Sequence, residues 1–373
     1  MKAVGQSQTN RTAASQIMRI DSDTLRILYV GCTGRSSRSL MAARAMSELG
    51  HDVQTVSSEA LNSHGERCYD QDLKYRALSK LGFPPDRQNA NEIALARLAS
   101  ETFDVLWISK SLSTRPKLLQ FAKENNPEIK TVFHSEDDMN ARHNQSVWFR
   151  QSLPLYDIVF THKSYNANPE ELPAYGARKV VMIDKCFDRN VHKPVQVDAA
   201  DRERLGSAVG FVGTFELERA QLILRLAEAG IPVRVWGSHW SSWVGRHALM
   251  QVEDKILNAT DYVKAIACTD INLGFLRRQN RDLQTDRSIE IPACGAFMLA
   301  ERSHEHTRLF EEGQEAEFFA DFEELRSKVE HYSNAPLERQ SIGDQGRMRC
   351  IKSSYSFHDR LQSMLKMVME TPS

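Results

Sequence analysis

Short apolar runs punctuate the first half of the chain, and stretches with helical spacing of apolar positions separate them. Residues 25–30 form a β-rich run that feeds a glycine-bearing turn, Gly31, Cys32, Thr33 and Gly34. A helical stretch follows over 39–49, stopped by Gly50, and residues 51–56 predict the next strand. Strand, glycine loop, helix and strand in that order make a βαβ unit, which implies a parallel sheet. Runs at 103–108, 130–133, 157–161 and 179–183 predict further strands. The N-terminal half thus predicts one doubly wound α/β domain.

Hydrophobic periodicity fades over 188–206, a polar stretch containing His192 and Pro194. A second unit then begins, with a strand at 208–212, a turn at Gly213, Thr214 and Phe215, a helix over 216–229 and a stop at Gly230. Strands follow at 232–236 and 271–276, with a helix over 262–267 between them. A short helix from Arg287 stops at Gly295 and leads into a buried strand at 296–300. Asp321 with Glu324 spells a capping box for a helix to about 332, and 357–369 carries an amphipathic helical pattern. The chain divides into a loose tail (1–23), an N-terminal Rossmann-like domain (24–190), a linker (191–206), a C-terminal Rossmann-like domain (207–352) and a C-terminal helix (353–373) expected to pack back on the first domain. Open parallel sheets bind ligands at the carboxyl ends of their strands, so two facing sheets make a cleft.

Composition narrows the function without deciding it. Lys+Arg number 48 against Asp+Glu 49, a formal net charge of -1, which gives no global drive toward nucleic acid or anionic membrane. The six cysteines are scattered, with neither a C-x-x-C pair nor zinc spacing, and fit a reducing, cytoplasmic setting. No run reaches the length of a membrane span, and the N-terminus lacks a signal-type apolar core.

Candidate chemistry concentrates in the second half. Arg287, Ser288 and Glu290 crowd a first helical turn, where backbone N–H groups attract anions. Gly213 and Thr214 let the backbone approach a ligand, and Arg219, early on the next helix, is placed to clamp a diphosphate. Trp236 and Gly237, just past a strand, suit a nucleobase. The loop from Arg277 through Arg281 to Asp282 is dense in arginine and suits a departing phosphate.

Taken as an ordered set, these pieces resemble the C-terminal domain of the CgeB-like (spore maturation) glycosyltransferases, relatives of the group 1 glycosyltransferases. The resemblance runs from Val209 through Arg219, Val235–Gly237 and Asn272–Leu276 to Arg287–Gly295, then through Glu301–His306, Phe310–Glu315 and Phe322–Leu325. It implies a GT-B fold, two Rossmann-like domains with a nucleotide-sugar donor against the C-terminal one. It implies sugar transfer with retention, no cofactor and no metal. The family's two donor-flanking carboxylates fall on Asp282, where relatives carry Glu, and on Glu290, which would bond the ribose. Arg219, Arg277 and the backbone at Arg287 and Ser288 would face the diphosphate. Asp137 is the acceptor-side candidate, as a base or orienting carboxylate. Asp21 and Asp23 spell a metal-type Asp-x-Asp but precede the first strand, so a turn is expected there. The acceptor is open: a glycan, a lipid-linked sugar, a protein or a small molecule. Alternatives on the same fold are a sugar-nucleotide epimerase, a hydrolase, or a non-catalytic sugar-nucleotide or glycan-binding component. A nicotinamide oxidoreductase fits poorly, because Gly31 and Gly34 lack the G-x-G-x-x-G spacing.

Overall fold

The computed structural model describes residues 24–35, 37–66 and 72–372. The tail at 1–23, including Asp21 and Asp23, lies outside the described residues.

The N-terminal strands are β1 (Arg26–Gly31), β2 (Asp52–Ser57), β3 (Val105–Ser109), β4 (Lys130–Ser135), β5 (Ile158–Thr161) and β6 (Val180–Met182). Their helices are α1 (Arg38–Glu48), α2 (Leu73–Lys80), α3 (Ala90–Ser100), α4 (Pro116–Asn125) and α5 (Val147–Ser152). After α6 (Ala199–Leu205) come β7 (Ser207–Val212), α7 (Leu217–Glu228), β8 (Val233–Trp236), β9 (Met250–Val252), α8 (Ala259–Ala267) and β10 (Thr269–Gly274). The chain continues through α9 (Arg287–Ala293), β11 (Met298–Glu301), α10 (His304–Leu309), β12 (Glu317–Phe319), α11 (Phe322–Ser333), α12 (Pro336–Lys352) and α13 (Phe357–Glu370).

Each lobe holds a six-stranded, all-parallel sheet. The orders are β2-β1-β3-β4-β5-β6 and β12-β11-β10-β7-β8-β9. Parallel sheets must be covered on both faces, which is why β1 and β3 are nearly continuous apolar runs. One face of the N-terminal sheet packs Leu28, Leu106 and Phe133 against α3 and α4; the other packs Tyr29, Trp107 and Phe160 against α1. Phe357, Leu361, Met364, Leu365 and Val368 of α13 complete that second layer, so the last helix sits in the N-terminal lobe.

Four elements escape the sequence pattern, each for a local reason. Strands β9 and β12 are three-residue edge strands, too short for a period-2 signature. The long α12 carries glycines where a Cβ would press on backbone: Gly343 at 2.8 Å from the Gly295 carbonyl and Gly346 at 2.4 Å from that of Glu315. Close packing selected residues of poor helix propensity there. Within the expected linker, Asp198 caps the seven-residue α6 by accepting from the Asp201 amide.

Buried histidines make stability acid-sensitive. His134 and His162 share an Nε2···Nε2 hydrogen bond of 2.9 Å. Burial, joined by the Lys185 and Arg38 charges, pushes His134 down to about 4, and burial likewise pushes His162 well below its usual range. Burial also lowers His306 to about 4. The unfolded chain, with histidines near 6.5, binds these protons first, so the stability they confer is complete above about pH 6.5. It is lost as pH falls toward 4, at about 1.4 kcal/mol per pH unit per histidine. Urea midpoints at pH 7.5, 6 and 5 should therefore drop steadily; a flat profile to pH 5 contradicts this.

Candidate active site

In doubly wound sheets, ligands lie where the strand order reverses, at the carboxyl ends. In the C-terminal sheet that point falls between β7 and β10. The segments leaving these strands carry Gly213 and Thr214 after β7 and Arg277 after β10. Gly237, after β8, is compulsory here: φ is 150°, and a Cβ would stand 2.0 Å from the Gly213 carbonyl oxygen. Trp240 Nε1 donates to that same carbonyl at 2.9 Å, fixing the turn.

Three arginines converge on this turn. Glu216, next to α7, accepts from Arg219 Nη2 at 3.1 Å and from Arg277 Nε at 2.8 Å. Arg219 and Arg287 both lie over the Phe211 ring, with guanidinium carbons 5.3 and 5.6 Å from its centroid. Burial, with the like charges of Arg287 and Arg277, pushes Arg219 down to about 10, so it is a cation short of negative charge. Arg219 Nε and Arg287 Nε are buried without a hydrogen-bond partner among the described residues. A buried unpartnered N–H of a cation is costly, and an anion relieves it. Arg277, by contrast, stays firmly protonated: burial opposes its charge, but the Glu216 hydrogen bond and the charges of Glu216, Asp282 and Asp137 outweigh it.

Other candidates are held differently. The Ser288 hydroxyl lies 2.6 Å from His306 Nε2 and accepts from the Thr285 amide, so it is committed within the lobe. The amides of Ser288, Ile289 and Glu290 are already bonded to the Thr285 and Asp286 carbonyls. Trp236 packs with Leu205, Ala265 and Cys268 and takes the Arg234 guanidinium at 4.6 Å. At 6% exposure, its ring offers no open face to a nucleobase. Asp282 is buried in an ion pair with Lys163 of the other lobe.

Glu290 sits at the interlobe seam. One carboxylate oxygen accepts from Arg38 Nη1 at 2.8 Å and has His192 Nε2 at 3.5 Å; the other accepts from the Tyr262 hydroxyl at 2.7 Å. A carboxylate has roughly four acceptor positions, so about one is left for a hydroxyl. Arg38 also binds Glu136 at 2.8 Å and Asp286 at 3.2 Å, and Lys185 binds the same two carboxylates. Sequence reasoning missed Arg38, Lys185 and Tyr262. The one available signal was the position of Arg38, in the first turn after the Gly31–Gly34 loop.

The N-terminal sheet reverses between β1 and β3, and there a cavity of about 730 Å³ opens. Its lining includes Ser37 and Arg38 after β1, Lys110 after β3, and Glu136 and Asp137 after β4. Lys110 is left-handed (φ 39°), a strained state for a side chain of this kind. Its ammonium pairs with Asp137 and donates to Asn144 Oδ1 at 3.0 Å. Burial opposes ionisation of Asp137, but Lys110 outweighs it and holds the carboxyl below its usual range.

Residues 219–366 match the family model described as "Glycosyl transferase-like". The lobes have the GT-B arrangement of similar solved structures, and the matched segment spans most of the C-terminal lobe. Similar solved structures include sucrose-phosphate synthase from Thermosynechococcus elongatus (TM-score 0.64, 11% identity, covering 93% of this chain and 98% of that one). A glycosyltransferase from Rickettsia africae is similar at TM-score 0.63 and 12% identity, covering 94% and 99%. Anabaena Alr3699/HepE, solved with UDP-glucose, is similar at TM-score 0.59 and 13% identity, covering 93% and 100%. No curated protein sequence matches the chain. Among the described residues, no helix is long and apolar enough to cross a membrane.

Proposed function

We propose that this protein transfers a sugar from a nucleotide-sugar donor, held against the C-terminal lobe, to an acceptor in the N-terminal lobe. The observation that carries the reading is the arginine cluster at the β7/β10 reversal, with two buried guanidinium nitrogens that find no partner among the described residues. A diphosphate supplies the missing negative charge. HepE, on the same fold, is solved with UDP-glucose, which supports a donor of this class.

In the reaction, the bond from the sugar's anomeric carbon to the diphosphate oxygen breaks, and an acceptor oxygen forms the new bond to that carbon. The charge on the leaving diphosphate grows as the bond stretches, and Arg219, Arg277 and Arg287 stabilise it electrostatically. That cationic supply is our ground for proposing that no metal is needed. Glu290, fixed by Arg38 and Tyr262, takes a ribose hydroxyl. Asp137, kept ionised by Lys110, is a poor proton acceptor and a good hydrogen-bond acceptor, so it orients the acceptor hydroxyl. The acceptor proton leaves with the departing diphosphate. From the family resemblance we propose that the transfer retains the anomeric configuration.

Thermal shift against UDP, GDP, dTDP, ADP and CMP, each with and without excess chelator, tests the donor half. One nucleoside diphosphate should raise the melting temperature by several degrees, since a ligand at 100 times its Kd adds about 2.7 kcal/mol. Chelator should leave the shift intact. No shift with any of the five sinks the donor reading; a shift abolished by chelator and restored by manganese sinks metal independence.

A further inference from the structure

We infer that the N-terminal cavity takes an uncharged, hydroxyl-rich saccharide, and that Lys110 is the positioning residue for the carboxylate this saccharide meets. The inference deepens the transfer reading above and rests on it. The cavity, about 730 Å³, lies within the range of small-molecule sites. Its inner wall, at the carboxyl ends of β1 to β4, is set with Ser39, Ser58, Ser109, Ser111 and Ser113 together with Gln145. A serine hydroxyl both donates and accepts, and Gln145, whose amide nitrogen donates to the Met139 and Asn140 carbonyls, offers its oxygen as an acceptor. Sugar hydroxyls need that mixture.

Charge argues the same way. Arg38 pairs with Glu136 and Lys110 with Asp137, and across the lining Arg35, Arg38, Arg87 and Lys110 are balanced by Glu59, Glu66, Glu136 and Asp137. Little net charge is left there to recognise a polyanion. A lipid tail is disfavoured as well, because among the described residues the only large aliphatic side chain in the lining is Leu112. A polyisoprenoid needs a continuous apolar channel, and unpaired polar groups against hydrocarbon are costly.

Lys110 explains how the wall meets the donor. Its left-handed backbone carries the side chain to Asp137 and Asn144 at once. Asp137 lines the cavity and lies within electrostatic reach of Arg277 on the opposite lobe. The reacting hydroxyl therefore binds where cavity and arginine cluster meet.

Saturation-transfer NMR with the full chain in the presence of UDP tests the ligand class, using maltose and cellobiose, glucose 6-phosphate, and farnesyl phosphate as probes. The neutral disaccharides should receive saturation, and Ser58→Leu, which fills the wall, should weaken them at least tenfold while the UDP Kd changes less than twofold. Saturation of glucose 6-phosphate or farnesyl phosphate alone, or disaccharide binding indifferent to Ser58→Leu, overturns the inference. Failure of all five nucleotides in the thermal-shift panel strikes the donor reading instead, so the two failures are distinguishable. In transfer from UDP-glucose to maltose, Lys110→Met should lower kcat at least tenfold with a melting temperature near wild type, and Lys110→Arg should recover part of it. Equal loss in both variants, tracking a fall in melting temperature, means Lys110 is structural only.

Discussion

Arg219→Ala should lower kcat/KM by about 100- to 1,000-fold, the effect of removing one preorganised donor from a site of developing negative charge. Arg219 is 3% exposed, stacked on Phe211, and bound on one side to the Thr214 carbonyl and Glu216. Its Nε has no partner among the described residues, so part of the fork is unspent. Arg219→Lys keeps the charge but loses the planar fork, and should recover only part of the activity. Arg277→Ala should cost less, because Arg277 is more exposed and already bonded to Glu216. The measurement is steady-state kinetics on the donor identified by thermal shift. If Arg219→Ala stays within threefold of wild type, the arginine cluster is not where the diphosphate sits.

The placement of Arg219 was legible in the sequence, and the reason is local. A strand of small and β-branched residues, a glycine turn and an early helical Arg encode their own geometry over about a dozen residues. The same holds for the helix from Arg287 to the Gly295 stop. The partners of Glu290 were illegible for the opposite reason. Arg38 lies 252 positions away and meets Glu290 only because two sheets face each other. Asp282 reads in sequence as a sugar contact, yet its oxygen is taken by Lys163, 119 positions earlier. Trp236 misled because the alternation along β8 points it, with its Arg234 stack, into the layer under α6 and α8. Spacing along the chain reports which residues share an element. It does not report which element arrives from the other lobe.

Lys163→Met should destabilise the protein by about 3–5 kcal/mol, the cost of leaving one member of a buried ion pair without its partner. The Lys163 and Asp282 side chains are 2% and 5% exposed, so little solvent is available to take over from the lost ammonium. Asn280 Nδ2 at 2.9 Å is the other strong donor to Asp282, and a neutral amide does not neutralise a buried carboxylate. Nearby, Arg281 grips Asp138 at 2.6 Å and Glu171 at 2.7 Å, so the 280–282 segment fastens the lobes together where the acceptor cavity and the arginine cluster meet. The double change Lys163→Met with Asp282→Leu removes both charges and should recover most of the stability, because apolar replacements of a buried pair are often neutral. Urea unfolding of the two single variants and the double variant closes the cycle. A loss below about 1 kcal/mol in Lys163→Met, the range of exposed pairs, would mean that water reaches Asp282 and that its carboxylate is free to turn toward a donor sugar.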